Sequence, residues 1–170
     1  LSVSSAASDV YKRQACIPHL LKSDNPHILN ISPPLDMNPM WFQGHVAYTM
    51  AKYNMSLCVL GMAAEYKGQI AVNALWPRTA IKTAAVKNVL GGDEMMKKSR
   101  DPQIMADAAH IILNKDKDKF SGNFVLDDSL LAEHGETDFS KYADYPFAEL
   151  IPDFFVPEDA YPVPQVVKDS

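Results

Sequence analysis

The chain has 170 residues, 47% of them apolar, which is enough material for a hydrophobic core in one domain. Its formal net charge of −5 argues against a nucleic-acid partner and against a polybasic membrane contact. No stretch approaches the ~18 consecutive apolar residues of a membrane span. Cys16 and Cys58 form no CxxC motif, and the histidines show no HExxH or paired-ligand spacing. We therefore expect an intracellular protein with reduced thiols and no metal site.

The first fourteen residues differ from the rest of the chain. Residues 1–14 are rich in serine and alanine, show no clear periodicity and contain no continuous apolar run of the kind that a secretory signal needs. They resemble translated library-adapter sequence joined to a reading frame near Ala15. We therefore expect residues 1–14 to be a non-native or disordered leader that takes no part in the fold.

From Ala15 onward, apolar residues recur with helix or strand spacing, and prolines and glycines separate the periodic segments. Helices are predicted at 45–66, 79–90 and 102–113, and residues 15–22 are predicted to be the end of a helix. Strands are predicted at 27–31, 70–75 and 122–126. Gly68 is typical of the position just beyond a helix end, and Asp101 followed by Pro102 is typical of a helix start.

The alternation of strands and helices indicates an α/β protein with a parallel sheet and crossover helices. Three strands are too few for a complete doubly wound domain, so residues 15–132 are predicted to be part of one. Residues 133–170 are polar and rich in proline. Such a composition predicts an extended tail or a linker.

Tyr48 and Lys52 are the first candidates for chemistry. Their spacing of four residues places both side chains on one face of a helix, one turn apart. An ordinary tyrosine titrates near ~10, and a neighbouring ammonium favours the phenolate, which makes the phenol usable as a proton donor and acceptor. The alternative is a partly exposed tyrosine and a solvated lysine on a surface helix.

The order of three motifs resembles the C-terminal half of the short-chain dehydrogenase/reductase family. The motifs are Asn30-Ile31-Ser32 at the end of the first strand, Tyr-x-x-x-Lys at Tyr48, and Val72-Asn73-Ala74-Leu75-Trp76-Pro77 along the second strand and just beyond it. The resemblance implies half of a Rossmann-like sheet and redox chemistry with NAD or NADP at an alcohol or carbonyl carbon. Tyr48 would be the general acid or base, and Lys52 would lower its pKa and bind the nicotinamide ribose.

The chain departs from the family pattern at the residue after Ser32. The family usually has a second serine there, which steadies the substrate oxygen, whereas this chain has Pro33. Ser32 is therefore a candidate catalytic residue that reaches the site by a different loop path. Alternatively, it only caps the strand and Tyr48 alone holds the oxygen.

A second departure follows the second strand, where the family commonly has Pro-Gly and this chain has Pro77-Arg78. By resemblance, Pro77, the backbone near Ile81 and the Thr83 hydroxyl are candidate contacts of the nicotinamide, with Thr79 as a competitor. Alternatively, the threonines cap the following helix. A ligand phosphate or carboxylate is one possible partner of Arg78, but we expect a solvated side chain. Asn73 is expected to fix backbone near the strand end.

These 170 residues contain no GxxxGxG turn, the motif that cradles the dinucleotide pyrophosphate in the family. We therefore expect the N-terminal half of the fold to be missing and the chain to be inactive alone. Met95 and Met96 beside two glycines suggest a lid over a lipid-like substrate. A non-catalytic lipid-handling or interaction protein is the alternative. The resemblance also implies a homo-oligomer and a peroxisomal or mitochondrial location.

Overall fold

The computed structural model describes residues 6–157 and 159–170. Its strands are β1 (His27–Ile31), β2 (Ala71–Trp76) and β3 (Phe124–Leu126). Its α-helices are α1 (Ala6–Leu20), α2 (Val46–Glu65), α3 (Gly92–Lys97), α4 (Gln103–Leu113), α5 (Asp127–Glu133) and α6 (Gln165–Lys168). Short 3-10 turns lie at Pro39–Trp41, Ser140–Tyr142 and Phe147–Glu149, and a π-helix lies at Val86–Leu90.

The strands form one sheet in the order β1-β2-β3. β1 and β2 run parallel, with His27 opposite Ala71 and Ile31 opposite Leu75. Every residue of β2 is buried, as expected for a central strand covered on both faces. The prediction of an α/β fold that corresponds to part of a Rossmann-like parallel sheet is therefore confirmed.

The predicted helix over 79–90 is wrong over its first five residues, 79–83, whereas residues 84–90 are helical. Thr79 forms an antiparallel bridge with Pro152, and Ile81 forms a parallel bridge with Arg100, so the chain is extended here. Helical structure begins only beyond Thr83. The apolar spacing of this segment reflects burial against extended neighbours that lie far away in sequence. Periodicity alone does not reveal such neighbours.

The N-terminal helix begins before residue 15, within the segment predicted to take no part in the fold. Helix α1 spans Ala6–Leu20 and includes Pro18 near its C-terminal end. It therefore covers most of the predicted leader, whose residues 1–5 lie outside the described part of the chain. Whether residues 1–14 are native stays a prediction.

The chain divides into two compact units. Unit 1 comprises the described residues up to Leu75 together with Ile112–Phe124. Within it, α1 packs against α2. Its core is formed by buried side chains from α1, α2, β2 and the residue before β2, namely Ile17, Val59, Ile70, Val72 and Ala74.

Unit 2 comprises Trp76–Ile111 and Val125–Ser170. The segment 133–170, predicted as an extended tail or linker, contributes buried side chains to this unit, namely Phe139, Tyr142, Leu150, Phe155 and Val167. The rings of Phe154 and Phe155 pack edge to face, with their centroids 4.4 Å apart. The many prolines of this segment prevent long helices, but its aromatic residues still supply enough apolar surface to pack.

Among the described residues, no helix has the length and apolar character needed to cross a membrane.

Candidate active site

Helix α2 carries the candidate proton-transfer pair in unit 1. The Lys52 Nζ atom lies 5.9 Å from the centroid of the Tyr48 ring, on the same face of the helix. Tyr48 is 47% exposed, so its phenol is accessible from solvent. The local four-residue spacing thus produces the predicted proximity of the two side chains.

The loop before α2 is bonded to the helix at two residues that follow Tyr48, namely Thr49 and Tyr53. The buried Trp41 indole donates a hydrogen bond to the Asp36 carboxylate at 2.7 Å. The Thr49 hydroxyl donates to the Trp41 carbonyl. The Tyr53 hydroxyl donates to the Asp36 carbonyl at 2.7 Å, and burial raises the pKa of Tyr53 above its ordinary value. These contacts join the proline-rich loop to the first two turns of the helix.

Ser32 follows β1 directly and is only 1% exposed. Its hydroxyl makes no hydrogen bond within the described residues. The next residue, Pro33, is held against α2 because its carbonyl accepts a hydrogen bond from the Ser56 hydroxyl at 2.6 Å. The capping alternative for Ser32 would need a hydrogen bond to backbone, and the described structure shows none. A catalytic role stays a prediction.

The other candidate contacts, Pro77, Ile81 and Thr83, lie in unit 2. Here the extended backbone is paired on alternating sides. The Ala80 amide donates to the Ile151 carbonyl at 2.8 Å, and the Lys82 amide donates to the Arg100 carbonyl at 2.8 Å. Ile81 lies between them, and its own N–H and C=O form no hydrogen bond with any described residue. A carboxamide needs one donor and one acceptor, so the Ile81 backbone fits such a group.

Thr83 and Thr79 differ in their surroundings. The Thr83 hydroxyl accepts a weak hydrogen bond from the Val86 amide at 3.4 Å. This contact is the helix cap that the sequence left open as the alternative role. The Thr79 hydroxyl is buried and has no hydrogen-bond partner in the part of the chain that the structure describes. Thr83, which is exposed, is therefore the more accessible of the two hydroxyls.

The expectation of a solvated Arg78 is wrong. Arg78 is 3% exposed. Its Nε donates to both carboxylate oxygens of Asp128 at 2.8 Å, and its Nη2 donates to the Ser129 hydroxyl at 2.7 Å. A buried guanidinium is tolerated when a carboxylate neutralises it and its donors are satisfied, and both conditions hold here.

Asp128 is shared by two arginines. Arg100, 1% exposed, also donates to this carboxylate, through Nη1 at 3.0 Å. The neighbouring Asp127 carboxylate accepts hydrogen bonds from the Arg78 amide at 3.0 Å and from the Asp128 amide at 2.8 Å. Burial, followed by the negative charge of Asp128, raises the pKa of Asp127 to about 7, while Arg100 acts in the opposite direction.

Sequence reasoning missed this buried cluster of Arg78, Arg100, Asp127 and Asp128. The available signal was a pair of adjacent aspartates directly after an apolar strand, at a position where a turn to solvent is the usual interpretation.

Asn73 has the structural role that we predicted. Its side-chain amide donates to the Phe120 carbonyl at 2.9 Å, and its side-chain oxygen accepts from the Asn123 amide at 3.0 Å. Both contacts fix the approach of the chain to β3. No group of histidine, cysteine, aspartate and glutamate side chains within the described ranges is arranged to hold a metal ion.

Comparison with known proteins shows what the chain is similar to, although no family model matches it. It is 59% identical over 147 residues to hydroxysteroid dehydrogenase-like protein 2 of Danio rerio, covering 85% of this chain and 35% of that protein. The protein of the same name from Homo sapiens is 56% identical over 149 residues, covering 88% and 35%. The chain thus spans about a third of the length of these curated relatives.

Two solved structures share the fold. A candidate dehydrogenase from Xanthomonas campestris has a TM-score of 0.83 and 48% identity, covering 91% of this chain and 56% of that chain. A short chain dehydrogenase from Mycobacterium thermoresistibile has a TM-score of 0.79 and 46% identity, covering 93% and 55%. The resemblance stated from the sequence motifs is therefore confirmed.

Proposed function

We propose that this chain, a relative of the short-chain dehydrogenases, carries the proton-transfer part of an NAD(P)-dependent oxidoreductase site that acts on an alcohol or carbonyl group. The observation that carries the proposal is the placement of Lys52 Nζ 5.9 Å from the ring of an accessible Tyr48. The similarity to dehydrogenases supports oxidoreductase chemistry in general. NAD(P) dependence, substrate class and assembly are parts of the proposal.

In the proposed reaction, Tyr48 exchanges a proton with the substrate oxygen. In the direction of reduction, the phenol gives its proton to the carbonyl oxygen, and in oxidation the phenolate takes it back. Lys52 lowers the energy of the phenolate and so brings the proton affinity of Tyr48 closer to neutrality. The bound dinucleotide supplies or accepts the hydride.

The residues proposed to hold the dinucleotide are Tyr48 and Lys52 for the ribose side, and Pro77, Ile81 and Thr83 for the carboxamide. The fit rests on the Ile81 backbone, whose donor and acceptor are unused among the described residues, and on the exposed Thr83. Because the glycine-rich turn is absent from these 170 residues, we propose that they do not turn over substrate alone.

We also propose a lipid-like, apolar substrate. Supporting this, methionines are exposed in the loop before α2 and on α2 itself, the helix that carries Tyr48, namely Met37, Met40 and Met50, and methionine suits adaptable apolar binding surfaces. A homo-oligomeric state and a peroxisomal or mitochondrial location are further proposals, which rest on the family resemblance.

The second candidate function is a non-catalytic lipid-handling or interaction protein. The observation that favours it is Pro33, which stands where the family has its substrate-steadying serine, beside a Ser32 that is buried. The departure at Arg78 no longer argues for it, since this residue forms a buried ion pair within unit 2.

The change Tyr48→Phe, made in the whole natural protein, distinguishes the two functions. We expect kcat for NAD(P)H-dependent reduction of apolar ketones to fall about 10²- to 10⁴-fold, since general acid-base catalysis contributes that much. Folding should be unaffected, because the Tyr48 side chain is half exposed. Turnover is measured from the nicotinamide absorbance, and folding from the circular dichroism melting curve.

Tyr66→Phe, the same chemical change at the other end of the helix, is the matched control and should leave kcat within about twofold. A natural protein that binds apolar ligands but shows no turnover with either dinucleotide would contradict the proposed enzyme and favour the lipid-handling function. Turnover that survives Tyr48→Phe unchanged would contradict the proposed role of Tyr48.

A further inference from the structure

The Arg78 side chain connects the segment after β2 to two other parts of unit 2, namely α5 and the C-terminal segment. Its Nε binds the Asp128 carboxylate at the start of α5, and its Nη1 donates to the Tyr161 carbonyl in the C-terminal segment at 2.8 Å. Its Nη2 donates to the Ser129 hydroxyl. Because the guanidinium is planar and rigid, these bonds fix the directions of all three partners relative to the backbone at residue 78.

The C-terminal segment also pairs directly with the residues that follow β2. The Asp153 amide donates to the Arg78 carbonyl at 2.9 Å, and the Ala80 amide donates to the Ile151 carbonyl at 2.8 Å. The Trp76 indole donates to the Phe154 carbonyl at 2.8 Å. Residues 150–162 therefore contact the stretch 76–80 both through backbone pairing and through two buried side chains.

This pairing determines which backbone groups are left for a ligand. Ala80 uses its amide toward Ile151 and its carbonyl toward the Arg100 amide, at 2.8 Å each. The donor and acceptor of the next residue, Ile81, stay without partners among the described residues. If this segment were flexible, Ile81 would turn and its N–H and C=O would bind water. The segment would then have to be ordered when a ligand binds, which would lower the affinity.

We propose that Arg78 is a positioning residue for the dinucleotide. By holding residues 150–162 against residues 78–80, it keeps the Ile81 backbone and Thr83 in the orientation that accepts the nicotinamide carboxamide. Arg78 stands where the family commonly has a glycine, and it supplies side-chain contacts that a glycine cannot make. This inference rests on the proposed function, and it adds a residue and a segment to the proposed binding site.

The test compares dinucleotide affinity in two variants of the whole natural protein. Arg78→Lys keeps the charge but loses the planar fork, and Ser129→Ala removes one acceptor of the guanidinium. We expect Kd for NADH or NADPH to rise about tenfold in Arg78→Lys and about threefold in Ser129→Ala. Kd is measured by nicotinamide fluorescence well below the melting temperature, where each variant is fully folded. If Arg78 only stabilised the fold, Kd would be unchanged under these conditions.

Asp144→Asn is the control, because it breaks an ion pair with Lys82 at 2.7 Å in which the Asp144 carboxylate is exposed. It should leave Kd within about twofold. Unchanged affinity in a folded Arg78→Lys would overturn the inference, and if that variant does not fold, Ser129→Ala decides in the same way. No dinucleotide binding by the wild-type protein would instead overturn the proposed function, and this inference with it.

Discussion

At the residue scale, Asp127 shows how burial changes the chemistry of one carboxyl group. It is fully buried, one of its oxygens accepts two backbone hydrogen bonds, and the other has no partner within the described residues. Its pKa is raised from 3.8 to about 7, first by burial and then by the charge of Asp128. The folded chain therefore keeps a proton that the unfolded chain releases between about pH 4 and pH 7.

The stability of the chain should consequently fall as pH rises through this interval, because the folded state binds the extra proton. Asp127→Asn removes the titration while keeping an oxygen acceptor for the Arg78 amide. We expect it to reduce the loss of stability between pH 5 and pH 8 by up to about 3 kcal/mol, since about two pH units lie between pH 5 and the folded-state pKa and each corresponds to about 1.4 kcal/mol. The measurement is denaturant unfolding at both pH values.

The exposed Asp118→Asn serves as the control for this experiment, and it should leave the pH dependence as in the wild type. An Asp127→Asn variant that loses as much stability as the wild type between pH 5 and pH 8 would show that Asp127 is ionised throughout.

Arg78 shows how a cationic side chain comes to be buried. The residue type predicts solvent exposure, because charged side chains are almost never fully buried unless they are paired. The side chain is buried because Asp128, fifty residues later, neutralises it. The burial of a charge is thus decided by a partner that sequence proximity does not reveal.

At the element scale, the loop between β1 and α2 acts as a connection that orients the helix. Its prolines disfavour an α-helix, and the hydrogen bonds from the Thr49 hydroxyl to the Trp41 carbonyl and from the Tyr53 hydroxyl to the Asp36 carbonyl attach it to α2. The rings of Phe42 and Tyr53 add an edge-to-face contact at 5.7 Å. The first turns of the helix, which carry Tyr48, are therefore supported by specific contacts in addition to helix propensity.

Trp41→Phe tests this support, because phenylalanine keeps an aromatic ring but loses the donor to Asp36. We expect a loss of about 1–3 kcal/mol in the free energy of unfolding, the usual cost of removing a hydrogen bond to a charged group. A double-mutant cycle with Asp36→Ala, followed by urea unfolding, isolates the contact. A coupling free energy near zero would mean that the hydrogen bond contributes nothing and that Trp41 acts only through its burial.

At the scale of the whole molecule, the outer face of α2 carries apolar side chains. Val46, Met50, Leu57 and Leu60 are each between 45% and 56% exposed. Their spacing places them along one stripe of the helix. An exposed apolar stripe of this length is typical of a surface that contacts another protein, and it supports the proposed homo-oligomer.

The paired change Leu57→Glu and Leu60→Glu should convert an oligomer of the natural protein into smaller species, because two charges would have to be buried at the contact. Light scattering coupled to size exclusion measures the mass. Met37→Glu, at an exposed methionine outside the helix, is the control and should leave the mass unchanged. A mass that is unaffected by the paired change would exclude this stripe as the interface.

Local pattern alone determined the elements near the candidate site. β1 spans His27–Ile31 as predicted, and α2 spans Val46–Glu65 against a prediction of 45–66. The Asp101 side chain caps the following helix through the Gln103 amide at 2.8 Å, also as predicted. Each of these features depends on residues within a few positions of one another, and the proximity of Tyr48 and Lys52 follows in the same way from a four-residue spacing.

Tertiary structure alone decided the conformation of residues 78–82 and the burial of Arg78. The extended segment exists because Ile151 and Arg100 supply hydrogen-bond partners on its two sides, and apolar spacing does not encode such partners. The buried charges of Arg78, Arg100 and Asp128 stabilise one another. Removing one of them would leave another without a compensating charge in a medium of low dielectric constant. The sequence therefore determines the proximity of Tyr48 and Lys52, the pair proposed for proton transfer, while the backbone groups proposed for the dinucleotide depend on contacts that are formed only in the folded chain.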